Sequence, residues 1–94
     1  MIIVSGTLRL QPGRRDDFLK ESLDAMKAAR VAVGCHAFVV SADPIEVDIV
    51  NVYEEWGSEE ALLRFRGEGP SADMRGMIAG ADVRRHYVAK SGPA

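Results

Sequence analysis

Asn51-Val52-Tyr53-Glu54-Glu55-Trp56-Gly57-Ser58-Glu59-Glu60-Ala61-Leu62 reads as a strand running directly into a capped helix. The residues before Trp56 are rich in β-branched and aromatic types, which favour a pleated, half-buried surface. Ser58 is a good N-cap, and Glu59 and Glu60 fall in the first turn, where the helix dipole favours negative charge. On a strand, Glu54 and Trp56 are two residues apart and therefore share a face. A carboxylate beside an indole can be core packing or the wall of a substrate pocket.

Elements of matching type lie on both sides of this run. Ile2 to Leu10 is strand-like, with Val4, Leu8 and Leu10 on one face and Ile3, Ser5, Thr7 and Arg9 on the other. Gln11-Pro12-Gly13 ends it in a turn. Arg14 to about Ala32 is helical, with Leu19, Leu23, Met26 and Val33 as the apolar stripe and Phe18, Ser22, Ala25 and Ala29 beside it. Cys35 to Ala42 and Val47 to Trp56 pair as an antiparallel hairpin around the turn Asp43-Pro44-Ile45-Glu46. Ser58 to about Arg66 is a helix, broken by Gly67-Glu68-Gly69-Pro70. Ser71 caps a short helix from Ala72 to Ala79, and Ala81 to Ala89 is the last strand. Residues 1–90 form one domain and residues 91–94 a tail.

The order β-α-β-β-α(α)-β is the split βαβ, or ferredoxin-like, arrangement of an α+β fold. Right-handed crossovers place the first and third strands at the centre of a four-stranded antiparallel sheet. Helices can cover one face of that sheet. Val50, Val52, Glu54 and Trp56 point toward them, and Ile49, Asn51 and Tyr53 point away. Both faces of the second and third strands carry apolar residues. The bare face needs a cover, and a second copy packed about a two-fold axis is the simplest one. A homodimer through the open sheet face is expected.

Composition narrows the partners. The chain has 94 residues, 47% of them hydrophobic and 28% charged, with a formal net charge of −2. These values describe an ordinary globular domain. They argue against nucleic acid as the main partner, because no basic stripe with interleaved aromatics occurs. No apolar run approaches membrane-spanning length. The opening Met1-Ile2-Ile3-Val4-Ser5-Gly6 lacks the basic and cleavage-site features of a signal peptide, so a cytoplasmic address is expected. Cys35 is the single cysteine, and two histidines complete the soft ligands. They are scattered, and neither a P-loop nor a dinucleotide fingerprint is present. No metal or cofactor is expected from these motifs.

Taken together, the opening strand with Pro12-Gly13, Phe18 on the first helix, Gly34-Cys35 before Phe38, and Tyr53-Glu54-Glu55-Trp56 with Ser58, Glu60 and Ala61-Leu62 resemble the antibiotic biosynthesis monooxygenase (ABM) domain of the dimeric α+β barrel superfamily. The resemblance covers about Ile2 to Val88. It implies a ferredoxin-like protomer, a dimer and a pocket between sheet and helices. It also implies that some members oxygenate quinols or phenols without flavin, haem or metal, the deprotonated substrate itself passing an electron to O₂. Other members cleave haem. Two departures stand out. Residues 67–74 carry no histidine where many members have one, and Val52 stands where oxygenase relatives place an asparagine four residues before the tryptophan.

The candidate catalytic residues are Glu54, His36 and Trp56. A carboxyl in a cavity has its pKa raised toward a useful range. The alternative for Glu54 is an ion pair with Arg64, Arg84 or Arg85. His36, expected on the face of Phe38 and Val40, has the natural pKa of a base. Trp56 can stack on a planar ring or serve as a core anchor. Phe38, Val52, Phe65, Met74, Met77 and His86 are the candidate substrate-binding residues, core packing being the other reading of Phe65 and the methionines. Arg66 and Arg75 can meet an acidic substrate or remain solvated. Cys35 reads as a buried, inert thiol. The expected function is a cofactor-independent, monooxygenase-like protein acting on a small aromatic quinol or phenol. The alternative is a non-catalytic small-ligand-binding or stress-associated dimer, with haem binding or degradation third.

Overall fold

The structure, a computed structural model, describes residues 1–67 and 69–94. Glu68, in the expected break after the second helix, lies outside the described residues. In chain order the elements are β1 (Ile2–Leu10), α1 (Arg15–Arg30), β2 (Cys35–Ala42), β3 (Ile49–Trp56), α2 (Glu59–Arg66), α3 (Ala72–Met77) and β4 (Ile78–Tyr87). All strand pairings are antiparallel and the order across the sheet is β2-β3-β1-β4. The ferredoxin-like α+β fold is therefore present, with β1 and β3 at its centre as the crossover rule requires. Among the described residues no helix is long and apolar enough to cross a membrane.

The helices are held by local chemistry. Ser58 Oγ accepts a hydrogen bond from the Ala61 amide at 3.1 Å, and Ser71 Oγ accepts one from the Met74 amide at 3.2 Å. Each satisfies an amide that the first helical turn leaves without a partner. The β2–β3 turn is tied by Asp43, whose carboxylate accepts from the amides of Ile45 and Glu46 and from the Asn51 side chain. Those bonds hold the Asp43 carboxyl below its usual range, the Glu46 amide contributing most.

Register fixes the faces. Val4 pairs with Glu54 and Ile2 with Trp56, so both sit on the side where Ala29, Ala61 and Leu62 of α1 and α2 complete a buried cluster. A second cluster of Leu10, Phe18, Val50 and Met77 closes the other end of that side. On the opposite side Val39 and Tyr53 remain 38% and 39% exposed.

Four boundaries or faces differ from the sequence reading. The buried line of α1 is Phe18, Ser22 and Ala29, with Leu19 and Met26 half-buried against the clusters, while Leu23 is 48% exposed and Val33 82% exposed. The helix ends at Arg30, so Val33 no longer follows helical spacing. β4 starts at Ile78 rather than Ala81, because Ile78 pairs with Leu10 and the Met77 carbonyl accepts from the Gln11 amide at 2.7 Å. Those sheet bonds cut α3 short at Met77. β3 starts at Ile49 rather than Val47, which lies in the turn and is 71% exposed. Finally, β2 carries a bulge at His36. Cys35 opposes Trp56 and Ala37 opposes Glu55, leaving His36 as the extra residue.

Gly6, at the middle of β1, is where the sheet is tightest. Its φ is +151°, and a Cβ there would overlap the Asp82 carbonyl oxygen and stand 2.8 Å from the Val83 Cα on β4. Backbone on a neighbouring strand cannot move aside cheaply. Gly6→Ala is therefore expected to lose at least about 2 kcal/mol of stability, or to fail to accumulate as folded protein. Urea denaturation followed by circular dichroism measures this; a variant within about 0.5 kcal/mol of the parent would contradict it.

Candidate functional site

Between the two buried clusters the helix-side face of the sheet is not filled. A cavity of about 460 Å³ opens there. Its floor is Leu8 of β1, Phe38 and Val40 of β2, and Val52 and Glu54 of β3. Phe18, Ser22 and Ala25 of α1 form one wall. Phe65 and Arg66 of α2, Gly69 and Pro70 after it, and Met74 of α3 form the other. Ser22 and Ala25 are small, which is why the helix can lie over the sheet without filling the space beneath it. The Ser22 hydroxyl is buried but donates to the Phe18 carbonyl at 2.7 Å, so it is already satisfied.

Glu54 is the ionisable group inside. It is 7% exposed, and its Oε1 accepts a hydrogen bond from the Trp56 indole Nε1–H at 2.9 Å. Burial pushes its pKa up. The indole hydrogen bond and the positive charge of Arg66 pull in the other direction without reversing the shift. Its second oxygen has no protein partner among the described residues. Nor is it sealed off, because among the described residues no buried side-chain nitrogen or oxygen lacks a hydrogen bond. That oxygen opens to the cavity.

The ion pairs that would have neutralised Glu54 are engaged elsewhere. Arg64 pairs with Glu60 at 2.6 Å, Arg84 with Asp82 at 3.2 Å and Arg85 with Glu59 at 2.6 Å. A carboxylate left unpaired in an apolar cavity is costly as structure, and it is the feature expected of a functional group.

Trp56 is 0% exposed and forms no part of the cavity surface. It stands behind Phe65, their ring centroids 5.3 Å apart, and Phe65 meets Phe38 edge-on at 5.7 Å. The aromatic wall is thus Phe38 and Phe65, with Trp56 supporting them and orienting Glu54.

The structure brings together Glu54, Phe38, Val52, Phe65 and Met74 of the residues singled out in the sequence. It does not bring in the histidines or Met77. The β2 bulge turns His36 away from the face of Phe38 and places its imidazole next to Gly57, exposed. Cys35 takes the inward position instead, and burial raises its thiol pKa, as suits an unreactive group. His86 opposes Ile3, on the face away from the helices, and is exposed. Met77 is packed in the Leu10 cluster. Leu8, Phe18, Ser22 and Ala25 line the cavity without having been singled out for it. The signal for three of them was the Phe18–Ser22–Ala25–Ala29 run on α1, whose small members mark where a helix leaves space. Among the described residues no group of three or more His, Cys, Asp or Glu side chains is placed to hold a metal ion.

A wider cleft of about 510 Å³ between α1 and α3 is lined largely by exposed charged residues, including Arg14, Asp17, Lys20 and Glu21. It encloses no buried ionisable group, so the Glu54 cavity is the candidate site.

Residues 1–76 match the family model described as antibiotic biosynthesis monooxygenase. No curated protein sequence matches the chain. Among solved structures it is similar to a candidate antibiotic biosynthesis monooxygenase from Deinococcus radiodurans, at 15% identity and TM-score 0.82, over 100% of this chain and 98% of that one. A second, from Caulobacter crescentus CB15, is 25% identical with TM-score 0.79, over 95% and 90% of the two chains. A third, from Chloroflexus aurantiacus J-10-fl, is 24% identical with TM-score 0.78, over 98% and 96%.

The Glu54 environment sets a pH dependence. A carboxyl whose pKa is raised on folding contributes stability below its unfolded value, near 4.5, and loses it as pH rises through the folded value. Glu54→Gln keeps an acceptor for the Trp56 N–H and removes the buried charge. The variant should therefore gain stability relative to the parent as pH rises from 4 to 8. Paired urea titrations isolate this from other groups such as Asp43. A variant that loses stability relative to the parent over the same range would show that the charged form is the favoured one.

Proposed function

The chain belongs to the antibiotic biosynthesis monooxygenase family, and on that premise we propose that it is a cofactor-independent, monooxygenase-like protein whose substrate is a small aromatic quinol or phenol held beside Glu54. The observation that carries this reading is the unpaired carboxylate in an apolar cavity. Glu54 takes the proton of a ring hydroxyl through its free oxygen. Its raised pKa brings it closer to that of a phenol, so the transfer is less uphill than to an exposed carboxylate. Trp56 holds the other oxygen and so fixes the direction of approach. Phe38 and Phe65 offer ring faces and edges at the spacing that suits aromatic contact, and Val52 and Met74 fill the remaining sides. The electron-rich anion then reacts with O₂ directly. Hydroquinone plus O₂ gives hydroxyquinone plus water, the substrate supplying every electron, so the balance needs no resident redox group. His36, first expected to share the proton chemistry, has no part in it from its place outside the cavity.

Val52 at the cavity floor, where oxygenase relatives carry an amide, favours a second reading: a binding protein that holds an aromatic ligand without turnover. Haem is the least supported ligand, because neither histidine reaches the cavity to supply an iron ligand.

We also propose that the functional unit is a homodimer closed over the open sheet face. Val39 pairs directly with Tyr53 on that face, and Ala37 and Ile3 stand in the next row on either side of Glu55. A two-fold partner covers these residues with its own copy of them.

Oxygen-electrode assays with a panel of hydroquinones test the chemistry. Uptake should exceed the enzyme-free rate at one O₂ per hydroquinone, and Glu54→Gln should lower kcat/KM by roughly 100-fold or more. Uptake indistinguishable from the blank for every quinol, with binding retained, would leave the binding reading. Sedimentation velocity at low micromolar concentration tests the assembly. The parent should sediment as a dimer and Tyr53→Arg as a monomer; a monomeric parent refutes it.

A further inference from the structure

The cavity has two polar ends of different character. Inside is Glu54, 7% exposed, with one oxygen fixed and one open. At the rim is Arg66, exposed, its side chain among those that line the opening. Among the described residues no carboxylate lies within ion-pair distance of Arg66, whereas Arg64, on the same helix, is paired. The lining between the two ends is almost wholly apolar, formed by Val40, Val52, Phe38, Phe65 and Met74.

We infer that the ligand of this cavity is an aromatic acid, a planar apolar body whose anionic group pairs with Arg66 at the mouth while a hydroxyl or carbonyl oxygen meets Glu54 inside. The inference rests on the reading of this cavity as the ligand site, and it names the class of ligand. A neutral hydrocarbon leaves the open Glu54 oxygen without a partner and Arg66 unused. An acid bound the other way round brings its charge against the Glu54 carboxylate, which a buried site disfavours.

The two ends are also coupled. Arg66 is the cation whose field opposes the effect of burial on Glu54. A ligand anion at Arg66 cancels that field, and Glu54 then holds a proton more tightly. The other groups close enough to matter do not compensate. Trp56 Nε1–H donates to Glu54 in either state, the Cys35 thiol stays neutral because burial raises its pKa, and the α1 wall contributes no charged side chain. Binding an aromatic acid therefore draws a proton onto Glu54.

The test uses two ligands of one shape, 6-hydroxy-2-naphthoate and neutral 6-hydroxynaphthalene-2-carboxamide, with binding read by quenching of the lone tryptophan and by calorimetry. The acid should bind about fivefold more tightly than the amide at low ionic strength, the preference shrinking as salt is added. In Arg66→Gln the preference should fall to about one. Calorimetry of 6-hydroxy-2-naphthoate in buffers of different ionisation enthalpy should show net proton uptake at neutral pH, abolished by Glu54→Gln. Equal affinity for acid and amide overturns the inference, as does a preference that survives in Arg66→Gln, and so does failure of both ligands to bind. These measurements involve no turnover. A retained preference with no oxygen uptake from any quinol would sink the oxygenase reading alone, and uptake without acid preference would sink this inference alone.

Discussion

The hydrogen bond from the Trp56 indole to the Glu54 carboxylate, 2.9 Å long and closed off from solvent, is the constraint on which the arrangement turns. It joins two side chains of one strand, so it depends on nothing more distant than the pleat of β3. Yet it sets both the core and the cavity. The indole is locked by its single donor into the position where Ile2, Ala61 and Leu62 pack around it and Phe65 lies over it. The carboxylate is locked with one oxygen engaged and the other aimed into free space. A neutral acceptor would hold the indole as well, and without the cost of burying an ionisable group. That the chain carries a carboxylate there is difficult to explain by packing.

Surface electrostatics make the same point from outside. Of the arginines expected to meet Glu54, Arg64 and Arg85 are occupied by the exposed carboxylates of Glu60 and Glu59, while Arg84, opposite Ser5, stands on the other face of the sheet beside Asp82. Pairs of this kind, between solvent-screened side chains, contribute little to stability. Their consequence is positional. They keep strong cations off the inner face, so the field that Glu54 feels comes from Arg66 at the mouth. The electrostatics of the cavity thus depend on what occupies that mouth.

Much of this was legible in the sequence, and the failures have a common cause. The run from Asn51 to Leu62 could be read because each of its signals is local: alternation along β3, the Ser58 cap, acids in the first turn. The same holds for the strand order, which follows from chirality once the elements are known. What could not be read depends on contacts between segments far apart in the chain. His36 looks like an inward residue on an unbroken strand. It is displaced because Gly34, at φ +87°, sits where a Cβ would come within 2.6 Å of Ala61, and its carbonyl is bonded to the Gly57 amide at 2.7 Å. That anchoring fixes where β2 begins, and the extra residue becomes a bulge. Ile78 likewise reads as helix until its pairing with Leu10 is known. On α1 Leu19 and Met26 pack against the clusters as expected, but Leu23 and Val33 are exposed and the buried line runs through Phe18, Ser22 and Ala29.

That last error bears on function. A helix chosen for stability alone would set large apolar side chains against the sheet, because each buried methylene contributes about 0.8 kcal/mol. α1 does so toward its ends, with Phe18 and Leu19 on one cluster and Met26 beside Ala29 on the other, but over the middle of the sheet it presents Ser22 and Ala25. The hydroxyl of Ser22 is turned back onto its own helix, so it offers no bond to a ligand and only keeps the space open. The gap lies directly above Val52 and Glu54, on the strand that carries the fold's strongest local signal. Core and cavity therefore share one strand face, which passes from sealed packing at Trp56 to an open carboxylate at Glu54 within two residues. A larger side chain at Ser22 or Ala25 would extend the core, and it would also occupy the space through which Glu54 is reached. The small residues of α1 are best understood as stability forgone to keep that approach open.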